Sequence, residues 1–287
     1  MKRECGTRNA ECGMRGARSL ERGTGFRTPH SALRTSSAFT MIEIAFSLAI
    51  IGFALVAIIG VLPIGMNVQK DNREETIINQ DATVLMNAIR SGAQVDDLVN
   101  YVYAITNDVT LYGIGRPTPF QYWYTLTSSS GNPQFPLTSG LRIVGLLSTP
   151  KYVPWRDQKG NSGYFSNHVV AYVRSMSGPA YEKFPQNNPS VQDLAFSYRL
   201  TSEVVPYGQV DPNLQTNLRT NLHDVRLIFR WPLRSRGQLG QGGQAFRTLV
   251  GGSLQEMNEP GFPRPKPTEP SPYDLYFFQP STYVSAP

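Results

Sequence analysis

The chain has 287 residues, 40% of them apolar, with 22 prolines. Charged side chains make up 17%, against about 25% in an average globular protein, so the chain is long enough for a buried core and too apolar for disorder. The net charge of +6 gives little support for a nucleic-acid partner: residues 1–38 hold eight Lys/Arg against three Glu, which leaves +1 for the rest, and such binding needs a basic face on the folded part.

Residues 1–38 are rich in Arg, Gly, Ser and Thr without apolar periodicity and read as an unstructured leader. Met14 is an alternative start. Both cysteines, Cys5 and Cys12, lie in this stretch, so the other 249 residues can form no disulfide, cysteine-ligated zinc site or thiol nucleophile. A long apolar segment follows, residues 39–66. From Ile44 to Met66 there are 23 residues without a charge, which as a helix span roughly 35 Å, enough for a hydrocarbon core of about 30 Å. The basic residues before this segment predict a cytoplasmic N-terminus. Pro63 is expected to kink the helix or loosen one hydrogen bond. Over 67–92 the pattern becomes amphipathic: Ile78, Ala82, Leu85 and Ile89 form a stripe, Lys70, Asp71, Arg73, Glu74 and Glu75 a solvated face, and Ser91-Gly92 a stop. The simplest reading joins both halves into one helix of about 50 residues.

The period changes to two in the head, residues 93–258. Tyr101–Leu111, Phe120–Thr127, Leu141–Leu147, Val169–Arg174, Leu194–Leu200, Val225–Trp231 and Phe246–Val250 read as strands separated by Gly, Pro, Ser and Asn clusters. The pair Val225–Trp231 and Phe246–Val250 is expected to form a hairpin with a long Gly/Gln-rich loop, Pro232 ending its first strand. Residues 259–287 carry eight prolines and are expected to wrap the surface in extended form, with Tyr273–Phe278 adding an edge strand.

Glu43 is the residue with the most to say. An acid deep in a membrane helix costs about 2.5–3.5 kcal/mol on insertion scales and usually has a partner; at the headgroup boundary it merely reaches water. The context is a basic leader, the small Ala38, then Phe39-Thr40-Met41-Ile42-Glu43, then an unbroken apolar run. This pattern closely resembles the N-terminal processing site of type IV prepilins and type II secretion pseudopilins, over residues 34–66 and in outline to about 92. The resemblance implies cleavage of Ala38–Phe39 by a prepilin peptidase and methylation of the new amine of Phe39. It also implies pairing of Glu43 with the N-terminal amine of a neighbouring subunit. The family usually has Gly where Ala38 stands, and Arg34 is separated from the site by Thr35-Ser36-Ser37. The run Leu62-Pro63-Ile64-Gly65-Met66-Asn67 is similar to that of the Verru_Chthon cassette pilin-like subgroup.

Two other readings of the segment stand beside this one. A cleavable secretory signal has an apolar region of about 7–15 residues and a small-x-small site, neither of which fits. A plain signal anchor tethering a non-polymerising periplasmic binding domain explains the topology but not Phe39 to Glu43. No enzyme motif is evident: only His168 and His223 follow the leader, and there is no nucleophile elbow, phosphate loop or His-Glu-x-x-His. Asp96-Asp97 caps a turn or binds calcium, capping being the simpler reading. Tyr122-Trp123-Tyr124 reads as core and cross-strand pairing.

The expectation is therefore an α+β, pilin-like fold, a long helix packed on an antiparallel sheet. A head of about 195 residues suits a minor subunit of a pilus or pseudopilus better than a closely repeating one. The implied partners are the peptidase, other pilin-like subunits, an inner-membrane assembly platform and lipid, with no cofactor or metal. The implied place is the inner membrane, single-pass, with the head in the periplasm and, once assembled, in an extracellular filament.

Overall fold

The computed structural model describes residues 39–92, 95–113, 115–126, 134–177, 196–207, 216–234, 237–258 and 269–284. The leader, with Ala38, lies outside them. The chain forms two compact units, one ending at Gly60 and one running from Val61 to Pro287. The fold is mixed α+β.

The described part of the first unit is apolar helix. Helix α1 runs from Met41 to Ser91, 51 residues, and continues unbroken through Pro63. Its best 18-residue window has a mean hydropathy of 2.8 with none of it buried. Phe46, Phe53 and Ile58 are exposed like their neighbours. The helix is long and apolar enough to cross a membrane, which fits a single-pass membrane protein.

In the second unit the residues of the predicted stripe, Ile78, Ala82, Leu85 and Ile89, are all buried. Gly92 ends the helix as expected: its φ of 59° is cheap only without a Cβ, and its N–H returns to the Ile89 carbonyl at 3.2 Å. A single turn, α2 (Leu98–Tyr101), leads into the sheet.

The strands are β1 (Val102–Tyr112), β2 (Thr118–Thr125), β3 (Gln134–Pro136), β4 (Tyr152–Arg156), β5 (Ser162–Arg174), β6 (Ser197–Pro206), β7 (Leu222–Leu233) and β8 (Leu239–Gly251). Their order is β3-β2-β1-β5-β6-β7-β8, and β4 pairs with the first half of β5. All pairs are antiparallel except β2 with β3. A separate two-stranded sheet is made by β9 (Ser253–Asn258) and β10 (Asp274–Gln279). One core cluster joins the α1 stripe to Ile105, Ala171, Leu200, Val225 and Phe229 of the sheet. A smaller one holds Val109, Leu111, Trp155 and Phe165.

Three expectations need correction, and a fourth, the strand near the C-terminus, is met in a second sheet. Leu141–Leu147 is not a strand but lies in helix α3 (Gly140–Leu147), whose N-cap Ser139 accepts a hydrogen bond from the Arg142 amide at 3.3 Å. A short run apolar on every side carries no period to separate strand from helix, and Ser139 was the deciding signal. The Gly/Gln-rich stretch is not a long loop: most of it belongs to β8, and Arg234 to Gln238 close the hairpin. Gly242 lies opposite Trp231, whose indole fills the space a side chain would take. Pro232 does not end β7; the strand reaches Leu233 with a register shift between Trp231 and Leu233. The predicted edge strand at Tyr273–Phe278 pairs with β9 rather than the main sheet, and Leu275, Tyr276, Phe277 and Phe278 are buried.

The start of α3 is tightly set. A Cβ on Gly140 would overlap the carbonyl oxygen of Val95. Gly140→Ala is therefore expected to destabilise the head by about 1–3 kcal/mol, the usual cost of overpacking, read as a lower urea midpoint with an unchanged slope.

Candidate functional site

The sequence-predicted site sits at the first turn of α1. Phe39 is 81% exposed. Thr40 occupies the N-cap, and its amide and hydroxyl both donate to Glu43 Oε2, at 2.9 and 3.0 Å. The Glu43 amide returns toward Thr40 Oγ1 at 3.4 Å. Thr40 and Glu43 thus form a reciprocal capping box, which satisfies amides that the helix start leaves without intrahelical partners. The Thr-x-x-Glu spacing was legible in the sequence and overlooked. Both Thr40 bonds end on Oε2; among the described residues Oε1 accepts none.

A second acid, Asp81, stands inside the apolar stripe and is fully buried. Its Oδ2 accepts from the Met176 amide at 3.0 Å and from the Tyr198 hydroxyl at 3.1 Å; its Oδ1 accepts from the Ser177 amide at 2.9 Å. This clamp ties α1 to the end of β5 and to β6. Burial raises the Asp81 pKa against the opposing effect of these hydrogen bonds, and burial beside Asp81 raises the Tyr198 hydroxyl well above its ordinary value. Reading the stripe as apolar contacts alone missed Asp81.

The remaining candidates separate. His168 is exposed on β5 and His223 buried on β7, its ring edge-on to Phe278 at 5.3 Å. Burial pushes His223 down to about 4, so it is neutral near pH 7. Asp97 occupies the N-cap position of α2 without a side-chain capping bond. Among the described residues no group of three or more His, Cys, Asp and Glu could hold a metal ion. Tyr122-Trp123-Tyr124 lies on β2. Tyr124 is buried and Tyr122 half-buried, with hydroxyls donating to the Pro272 and Pro270 carbonyls at 2.9 and 2.7 Å. Their role is to hold the C-terminal segment on the sheet, as aromatic residues in strands usually serve packing. Residues 259–268 of that segment lie outside the described ones.

No protein-family model, curated protein or solved structure matches the chain.

Proposed function

We propose that the chain is a pilin-like subunit, a minor one of a type IV pilus or type II secretion pseudopilus. It is processed between Ala38 and Phe39 and assembled through its apolar helix. The observation that carries this reading is the start of α1: after a basic stretch come Phe39-Thr40-Met41-Ile42-Glu43 and then an exposed apolar run without a charge from Ile44 to Met66. Such a helix needs lipid or other helices around it. In the membrane it holds the subunit in store, N-terminus in the cytoplasm; in a filament its neighbours replace the lipid.

Glu43 supplies the register. A carboxylate and an amine are each costly in an apolar surround, and pairing them reduces that cost, which selects one axial offset between neighbouring helices. The capping box suits this role, because Thr40 holds Oε2 and leaves Oε1 for the amine of a neighbour. It also supports a second reading, in which Glu43 only caps the helix of a plain anchor. Co-expression with a prepilin peptidase separates the two: the chain should be shortened to begin at Phe39, and Ala38→Leu should block this by enlarging the residue before the cut. A parent chain left uncut by an active peptidase contradicts the proposal.

A further inference from the structure

Strand β8 ends the main sheet: among the described residues it pairs with β7 and with no other strand. Tyr283 reaches Gly251 at its far end, which leaves residues 242–249 as the open edge. Their register with β7 is regular, since the shift lies between Trp231 and Leu233. In an antiparallel ladder alternate residues turn their N–H and C=O away from the partner strand. Among the described residues, nothing on the far side of β8 bonds those groups. Natural sheets guard such edges with proline, lysine, inward charges or bulges. This stretch has no proline, lysine or bulge, and its one charge, Arg247, is tied back to Asp224 Oδ1 at 2.7 Å.

The two faces beside the edge differ. On the outer face Gly243, Ala245, Arg247 and Leu249 are exposed. Arg230 of β7 lies across Gly243, its Nη1 3.0 Å from where a Cβ would stand. Arg226 opposes Arg247, and Asp224 serves both, Arg226 through Oδ2 and Arg247 through Oδ1. Arg230 has no carboxylate partner among the described residues, and it faces Arg199 of β6, a like charge directly opposite. Four guanidiniums to one carboxylate leave this strip positive, and Glu203 beside it is offset by Lys151 at 3.1 Å. On the inner face Trp231 stands over Gly242 and Phe246 packs on the main core cluster, so that side is apolar.

We propose that β8 accepts an extended segment of a partner protein as a further strand, with carboxylates on the outer face and apolar side chains on the inner one. Backbone bonds to the edge give affinity, and alternate side chains give specificity. Gly243 and Arg247 are four residues apart on one face. Acids at positions i and i+4 of the segment therefore meet Arg230 across Gly243 and the guanidinium of Arg247. A second copy of β8 would instead bring its own Arg247 into a strip that is already positive, which disfavours self-pairing. Pairing here uses neither the apolar helix nor processing before Phe39, so it can fail without the proposed function and the reverse.

The capped peptide Glu-Val-Thr-Ile-Glu-Val tests this on the full chain in a nonionic detergent, by titration and by hydrogen exchange read with mass spectrometry. It should bind saturably and slow exchange of the amides of residues 242–249. Replacing both of its glutamates by lysine should weaken binding by about tenfold or more, and Arg230→Ala by about tenfold, one charge-assisted hydrogen bond's worth. Methylating every backbone nitrogen of the peptide keeps its charges, removes its donors and should abolish binding. Arg116→Ala, between β1 and β2, should change nothing. Equal binding of the methylated peptide, no effect of Arg230→Ala, or no peptide binding by a chain that still melts cooperatively would each overturn the proposal. So would tighter binding of a short oligothymidylate, which assigns the strip to nucleic acid, or protection of β8 that rises with chain concentration alone, which assigns the edge to a second copy.

Discussion

Asp81→Ala is expected to destabilise the head by about 3 kcal/mol, because it strips the acceptors from two backbone amides and the buried Tyr198 hydroxyl together. For a domain of this size that lowers the melting temperature by about 6–12 °C. Asn is no rescue. Met176 and Ser177 donate to different carboxylate oxygens, so an amide in either orientation turns an NH₂ toward a backbone N–H. The cost should also depend on pH, with a sign set by burial. Since the folded-state pKa of Asp81 is raised, its contribution is fully present below the ordinary aspartate value near 3.8. It declines as pH rises through the raised value. The parent–variant difference should therefore be larger at pH 4 than at pH 8. His223 acts in the opposite sense: its pKa is pushed down to about 4, so its contribution is present above about 6.5 and declines as pH falls toward 4. It is common to parent and variant and cancels in the difference. A difference that is flat or rises with pH would contradict the assignment of burial as the dominant influence on Asp81.

Glu43→Gln carries the second large effect and divides the two roles of that residue. Glutamine at the third helical position still completes a capping box with Thr40, so the helix start should stay intact. The charge is gone, so insertion becomes easier rather than harder. If Glu43 sets register through a neighbour's amine, Glu43→Gln leaves that amine unpaired among apolar helices. Breaking a buried pair on one side costs about 3–5 kcal/mol, which should cut incorporation into sheared filaments by well over tenfold at normal membrane levels. Glu43→Ala should fail as badly and also lose the carboxylate half of the capping box, the two bonds from Thr40 to Oε2, while Thr40 keeps its own cap on the residue 43 amide. Were Glu43 only a cap, the glutamine variant would assemble like the parent and only alanine would show a defect.

What could be read from the sequence divides by range. The 51-residue helix, its buried stripe and its Gly92 stop were legible, because period and punctuation act within a few residues. Most long strands were placed by their β-branched and aromatic alternation, as β1, β2, β5 and β7 show. The short strands β3, β4 and β9 were not, being too brief or, in β4, interrupted by Pro154. Leu141–Leu147 was misassigned because its composition suited a buried strand as well as a buried helix. Asp81 was passed over because its partners lie 95 to 117 residues away. The β8 edge is harder still: its Gly/Gln-rich residues read as a loop, and only the pairing order of the folded sheet makes them an open edge. At the helix start the reverse holds, since Phe39 to Glu43 carry their pattern within five residues.

Processing at that start is the centre of the account. Intact-mass and N-terminal peptide mass spectrometry of the chain from membranes of its native host tests it most directly. The expected result is a mature chain beginning at a methylated Phe39. A chain that keeps the residues before Phe39 in the presence of an active prepilin peptidase contradicts it, and leaves Glu43 as the capping carboxylate of a plain membrane anchor.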